Sequence, residues 1–193
     1  MLKKKIKKDS IERVYVFIDG GNLYKSMRDH LSYTRININR FSEGLCGTSR
    51  RLVKICYYNA PLNQQENPSG YKEQQKFFSA LRKTSYLELR LGNLRKRERK
   101  FLCPGCQKET TFPYWIEKGV DVRLAVDLLG YAFDDQYDTA ILITQDGDFV
   151  PAVQEVQRLH KKVENAHFEK SYLSSMCDKF ILFTGEIFNP YKI

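Results

Sequence analysis

The strongest constraint on the fold is a repeated alternation of short apolar runs with segments whose apolar residues recur at helical spacing. Val14-Tyr15-Val16-Phe17-Ile18 is continuous, rich in β-branched and aromatic residues, and closed by Asp19-Gly20-Gly21, which is how a strand buried on both faces reads. Behind Asn22, a favourable N-cap, Leu23, Met27 and Leu31 share one helical face. A second strand is expected over 52–58, a helix over 71–82 with Phe77, Phe78 and Leu81 inward, and a third strand over 87–91. From Val122, the residues Leu124, Ala125, Leu128 and Leu129 form another helical stripe. Strands over 140–144, 162–166 and 180–183 and a helix over 151–160 complete the series. Alternation of this kind predicts a three-layer α/β/α fold, a mainly parallel sheet with helices on both faces.

Three stretches interrupt the alternation. Residues 92–114 have no apolar periodicity and read as an inserted basic loop or small ribbon containing two cysteines; 44–50 and 61–70 read as turn-rich connections. Residues 1–12, lysine-rich at the start, read as a disordered basic tail ahead of a single domain over 13–193. The 193 residues, 42% of them hydrophobic, suffice for one packed core and are too few for two.

Charge narrows the partners. Lys and Arg total 32 against 23 Asp and Glu, a formal charge of +9 that favours an acidic partner, most simply the phosphates of a nucleic acid. No apolar run approaches the roughly 20 residues that span a bilayer, and the charged start lacks the apolar stretch of a secretion signal. A cytoplasmic protein without membrane partners is expected. Its five cysteines, an odd number in a chain with its own core, are expected as reduced thiols.

The carboxylates carry the chemistry. Asp19 follows the first strand, and Asp146 and Asp148 follow the strand over 140–144 within Thr-Gln-Asp-Gly-Asp-Phe. Ligands bind open α/β sheets outside the carboxyl ends of strands where the strand order reverses, which lies between strands one and four if the order is 3-2-1-4-5. Asp121 begins the intervening helix and can lean over the same rim. Each acid has a local explanation: Asp148 as a helix cap, Asp19 as a turn residue, Asp121 as a first-turn acid favoured by the helix dipole. These explain less well why acids mark both strand ends at the expected reversal. Clustered like charges raise one another's pKa, and a divalent cation relieves the cost. Hard oxygen ligands without histidine suit Mg²⁺ or Mn²⁺ rather than catalytic zinc, and such a site hydrolyses phosphodiesters with a metal-activated water. Asp127, six residues beyond Asp121 and about 240° further around a helix, is expected to be structural.

Three ordered motifs then carry a resemblance: Val-Phe-Ile-Asp19-Gly-Gly-Asn22-Leu, Glu-Lys118-Gly-Val-Asp121-Val-Arg-Leu-Ala-Val-Asp127-Leu-Leu, and Tyr-Asp138-Thr-Ala-Ile-Leu-Ile-Thr144-Gln-Asp146-Gly-Asp148-Phe-Val-Pro. Together they resemble the NYN domain of the LabA-like branch of the PIN-like nuclease superfamily. The resemblance implies a PIN-like fold of strand order 3-2-1-4-5 and a Mg²⁺- or Mn²⁺-dependent ribonuclease site. On the matching positions it implies Asp19, Asp121 and Asp146 as metal ligands, Asp148 as a fourth acid or water-orienting residue, and Asn22 as a group positioning Asp19 or a phosphate. The family usually has Ser-Gly ahead of the strand-four acid, where this chain has Thr144-Gln145. A further acid on an early helix has Glu43 and Glu73 as candidates. Some relatives with this fold are thought to bind RNA without cutting it.

The insertion supplies five positive charges in six residues through Arg95, Lys96, Arg97, Arg99 and Lys100. A solvated loop would explain a generic charge run, but this one leaves strand three on the acidic rim, which favours a grip on RNA phosphates. Lys118 could contact a flanking phosphate, and Tyr57, Tyr58, Tyr114 and Trp115 could stack on bases or simply pack. Cys103 and Cys106 have the spacing of half a structural zinc site, with no second pair nearby in sequence; a degenerate knuckle and zinc shared across a homo-oligomer both remain open. The expected activity is therefore a metal-dependent endoribonuclease acting on single-stranded or loop RNA. The alternative is a non-catalytic RNA-binding or partner-recruiting module.

Overall fold

Alternation along the first strand decides the layering. In β1 (Arg13–Asp19), Val14, Val16 and Ile18 enter one buried cluster, while Tyr15 and Phe17 enter the other. The computed structural model describes residues 11–193, so most of the tail expected over 1–12 lies outside the described residues. After β1 come α1 (Gly20–His30), α2 (Ile38–Cys46), β2 (Arg51–Asn59), α3 (Pro68–Leu81) and β3 (Leu87–Leu91). The strands β4 (Asn93–Leu102) and β5 (Glu109–Lys118) follow, then α4 (Val120–Phe133), β6 (Thr139–Ile143) and α5 (Val150–Arg158). The chain continues through β7 (Lys162–His167), α6 (Tyr172–Met176), β8 (Lys179–Leu182) and α7 (Gly185–Phe188).

Six strands form one parallel sheet in the order β3-β2-β1-β6-β7-β8. Numbered among themselves, the first five have the expected order 3-2-1-4-5, and the sixth adds outside the fifth. One face packs Leu23 and Met27 of α1, Phe41 of α2, Phe78 and Leu81 of α3 and Phe188 of α7; the other packs Leu124 and Leu128 of α4, Val153 and Val156 of α5 and Leu173 of α6. This is the α/β/α fold. No helix among the described residues is long and apolar enough to cross a membrane, and all five cysteines are free.

Local chemistry moves several boundaries. Asp19, not Asn22, caps α1: its Oδ1 accepts the Asn22 N–H at 3.0 Å, so the helix starts two residues before Asn22. α2 runs through residues 44–46, which had read as turn, because Gly44 lies where any side chain would strike the Tyr191 hydroxyl. Its Ile38 and Phe41 are buried, and Asn37 caps it. α3 begins at Pro68 behind the Asn67 cap, inside the stretch 61–70 read as a connection. The segment expected as a loop or small ribbon is an antiparallel hairpin, β4 with β5, in unbroken register from Asn93 opposite Lys118 to Leu102 opposite Glu109. It reaches beyond residue 114 to the threshold of α4.

Candidate active site

Register brings the first two acids together. Ile18 of β1 lies opposite Ile143 of β6, so Asp19 and Thr144 end adjacent strands at the switch point of the sheet. The fully buried Thr144 hydroxyl donates to Asp19 Oδ2 at 3.3 Å and accepts the Asp146 N–H at 3.2 Å. Asp146 in turn opens a 3₁₀ turn over Gly147–Phe149 and accepts the Asp148 N–H on its Oδ1 at 2.9 Å. Beneath, the buried Asn165 amide donates to the carbonyls of Leu142 and Thr144 at 3.0 and 2.8 Å, fixing the path of the chain into the acidic turn. Neither Thr144 nor Asn165 carries a charge, so only the hydroxyl was legible as part of a motif.

Asp121 arrives by a different route. Gly119 adopts φ +86°, a left-handed conformation that turns the end of β5 into α4 and sets Asp121 in the first helical turn. Val120, Leu124 and Leu128 anchor that helix in the core, and Leu124 and Leu128 lie below Asp121 on nearly the same side of it.

These acids share one electrostatic environment. Burial holds the Asp19 pKa above its usual value, and the charges of Asp121 and Asp146 push it further, against the hydrogen bonds from Asn22 and Thr144. Burial also raises Asp121, with Asp146 and Asp148 adding to it and Lys118 opposing. Glu117, near the end of β5, is raised by burial and then by Asp19 and Asp121. The sequence reading gave it no role, although it opens the second motif just ahead of Lys118. Among the described residues no Lys or Arg is ion-paired to Asp19, Asp121, Asp146 or Asp148, so no side chain plugs the cluster.

Among the described residues no three His, Cys, Asp or Glu side chains are drawn in tightly enough to hold one ion as they stand. The donor chemistry nevertheless fits a hard divalent cation. The donors are carboxylate oxygens that no Lys or Arg among the described residues pairs with, and Asn22, whose backbone N–H holds Asp19, has a buried Oδ1 without a hydrogen-bond partner.

The other sequence candidates divide. Asp127 is structural: it accepts the Tyr58 hydroxyl at 2.9 Å and lies 3.6 Å from Arg90 Nε. Tyr57 and Tyr58 are buried in the two cores and cannot stack on bases; Tyr114 is exposed and Trp115 half-buried on the hairpin. Neither early-helix candidate joins the acids, because Glu43 accepts the Tyr86 hydroxyl and Glu73 pairs with Arg35 and Lys76. Arg95, Lys96, Arg97, Arg99 and Lys100 all lie exposed on β4, and Lys118 ends β5. Pairing sets Arg97 opposite Tyr114 and Arg99 opposite Phe112, whereas Lys100 is held by Glu109 at 2.7 Å. Cys103 and Cys106 occupy the hairpin turn.

A family model described as the NYN domain matches residues 13–184, nearly the whole chain. The chain belongs to the NYN family. Membership places this NYN domain in the PIN-like nuclease superfamily, in keeping with its sheet order. Among solved structures it is similar to a protein of unknown function from Vibrio parahaemolyticus, at 21% identity and a TM-score of 0.65, over 95% of this chain and 99% of that one. That likeness shows the fold alone. A Sir2 enzyme aligns at 10% identity with a TM-score of 0.42, over 92% of this chain and 89% of that one, too remote to bear on function. No curated protein matches the chain.

Proposed function

We propose that this NYN domain belongs to the LabA-like branch and is a Mg²⁺- or Mn²⁺-dependent endoribonuclease that cuts single-stranded or loop RNA. The observation carrying the proposal is the Thr144 bridge: it ties the two strand-end acids together in a field shared with Asp121 and Glu117, in which the pKa of Asp19, Asp121 and Glu117 stays raised although Lys118 opposes it at Asp121. Asp19, Asp121 and Asp146 would hold the ion. When bound, the ion supplies an activated water and offsets the negative charge that develops on the phosphate. Asp148 would orient that water, and the Asn22 N–H, bonded to Asp19 Oδ1, would steady the Asp19 carboxylate.

The hairpin grips the substrate. Arg95, Arg97 and Arg99 alternate along β4 and so share one of its faces, with Phe112 and Tyr114 opposite on β5. Guanidinium groups beside aromatic rings suit a single strand, with phosphates on the charges and bases on the rings. Lys118, which lowers the pKa of Asp121, stands where the hairpin meets the acids and suits a flanking phosphate. Free thiols suit a reducing compartment, so we place the activity in the cytoplasm.

The test incubates purified full-length protein with labelled RNA in Mn²⁺, Mg²⁺ or EDTA, comparing wild type with Asp146→Asn. The variant is expected to lose on the order of 100-fold or more in rate with the fold intact. Equal cleavage by both would sink the proposal. Salt-sensitive binding that persists in EDTA without cleavage would make the protein a non-catalytic RNA-binding module. Parallel reactions on single-stranded DNA and a chromogenic phosphate ester define the substrate class.

A further inference from the structure

The β4–β5 hairpin raises a problem of its own stability. It pairs only with itself, forming a two-stranded sheet separate from the six-stranded one, and residues 95–114 are exposed on both faces apart from Cys103. An isolated two-stranded ribbon is marginal in water, and small units without a core are commonly held by a metal or a partner. At its far end lies Cys103-Pro-Gly-Cys106.

That end is built as a knuckle. Cys103 N–H donates to the Lys108 carbonyl at 3.0 Å, and Gln107 N–H donates back to the Cys103 carbonyl at 2.9 Å. Gln107 takes φ 57°, a left-handed conformation uncommon for a residue with a side chain, which closes the turn tightly. The backbone N–H groups of Cys106 and Gly105 and the Cys106 thiol hold the Cys103 thiol below its usual pKa. Cys103 is half-buried and Cys106 exposed, so both sulfurs are reachable from solvent.

A closed structural zinc site takes four ligands, and one knuckle supplies two. Among the described residues the same chain does not complete it. Cys46 and Cys56 are buried in the cores, Cys177 follows α6, and among the described residues no third Cys, His, Asp or Glu gathers with the pair. We propose that Cys103 and Cys106 form half of a tetrahedral zinc site that a second copy of this chain completes with the same two residues, joining two hairpin tips across a two-fold axis. A shared ion on such an axis gives a closed, self-complementary contact. Phe101 and Leu102, 54% and 55% exposed directly before the knuckle, supply apolar surface for the two tips to cover. Four thiolates around Zn²⁺ leave net negative charge, and Lys108 beside each knuckle offsets it rather than repelling the other copy. The ten residues of β4 span about 33 Å, so this site is remote from the carboxylates and its existence does not depend on the nuclease reading.

The experiment strips full-length protein with chelator under a thiol-free reductant and adds back Zn²⁺. Metal content and mass in solution are then measured by sedimentation, for wild type and for Cys103→Ser/Cys106→Ser. Wild type is expected to bind one ion per two chains, to double in mass, and to revert with chelator. With Co²⁺ it should show the visible bands of a tetrahedral thiolate site. The double variant should bind no ion and stay at single-chain mass, with an unchanged circular dichroism spectrum because the hairpin lies outside the core. Absence of bound zinc, one ion per chain at unchanged mass, or a doubling that survives in the double variant would each overturn the proposal.

Discussion

Thr144 reaches across the switch point to Asp19: its hydroxyl lies 3.3 Å from Asp19 Oδ2, although the residues are 125 apart in the chain, and the same oxygen accepts the Asp146 N–H. One neutral, fully buried side chain thus sets the spacing of two acids that repel each other.

Removing that oxygen should therefore cost both stability and alignment. Thr144→Val keeps the shape but leaves the Asp146 N–H and an Asp19 oxygen without their partner, a loss of about 1–3 kcal/mol in denaturant unfolding. Thr144→Ser, retaining the hydroxyl, should recover most of it. RNA cleavage should fall in the valine variant by more than stability alone explains, and equal activity in both variants would remove the bridge from the mechanism.

Asp19→Asn should separate function from stability. The folded-state pKa of Asp19 is raised, so its charge weakens the fold at neutral pH. Asparagine keeps a capping oxygen for the Asn22 N–H and drops the charge. Cleavage should be lost while the melting temperature holds or rises. Mn²⁺ should raise the wild-type melting temperature by relieving the same repulsion and should do so less in the variant. A variant that melts lower and gains as much from Mn²⁺ as wild type would contradict this account.

The hairpin can be dissected by face. Neutralising Arg95, Arg97 and Arg99 together should weaken RNA binding and reduce the salt slope by about 2, at roughly 0.7 per single-strand phosphate contact. Lys100→Ala should matter less, because Glu109 already holds that charge. Fluorescence anisotropy across a salt series decides it, and an unchanged slope in the triple variant would leave the arginines without this role.

The buried His167 sets an acid limit on stability. Burial lowers its pKa from 6.5 to about 4. Its Nδ1 accepts the Glu169 N–H, so Nε2 carries the proton and donates to Ser26 Oγ at 2.8 Å. Between pH 6.5 and about 4 the unfolded chain binds a proton there that the folded one resists, so stability falls as pH drops through that window, by about 3 kcal/mol when fully expressed. His30, raised chiefly by its bond to the Ser26 carbonyl, and the raised Asp19, Asp121 and Glu117 act with the opposite sign. The comparison is therefore between wild type and His167→Gln. The variant should show a flatter loss of stability on acidification, and parallel curves would refute the assignment.

Apolar runs that are buried on both faces, such as Val14–Ile18, announce themselves because every residue must leave water. The strands, the acids at their ends and the helical stripes were legible from composition and spacing for that reason, whereas the strand order came with the family resemblance. Short elements were not: α6 and α7 bury too few residues to make a period, and α2 was hidden by Gly44, whose presence answers to Tyr191 far along the chain. Capping fell to Asp19 rather than Asn22 because helix starts depend on local backbone geometry that composition leaves open within two residues.

The sequence by itself determined which residue types could do chemistry here and that acids stand at the ends of the first and fourth strands, since hydrophobic period and turn residues are local properties of a chain. Only the tertiary structure decided that Thr144 links Asp19 to Asp146, that Glu117 enters their field from the hairpin, and that Tyr57 and Tyr58 belong to the cores. These depend on strand register and helix packing, where segments distant in sequence come within ångströms, and no pattern along the chain encodes a distance across it.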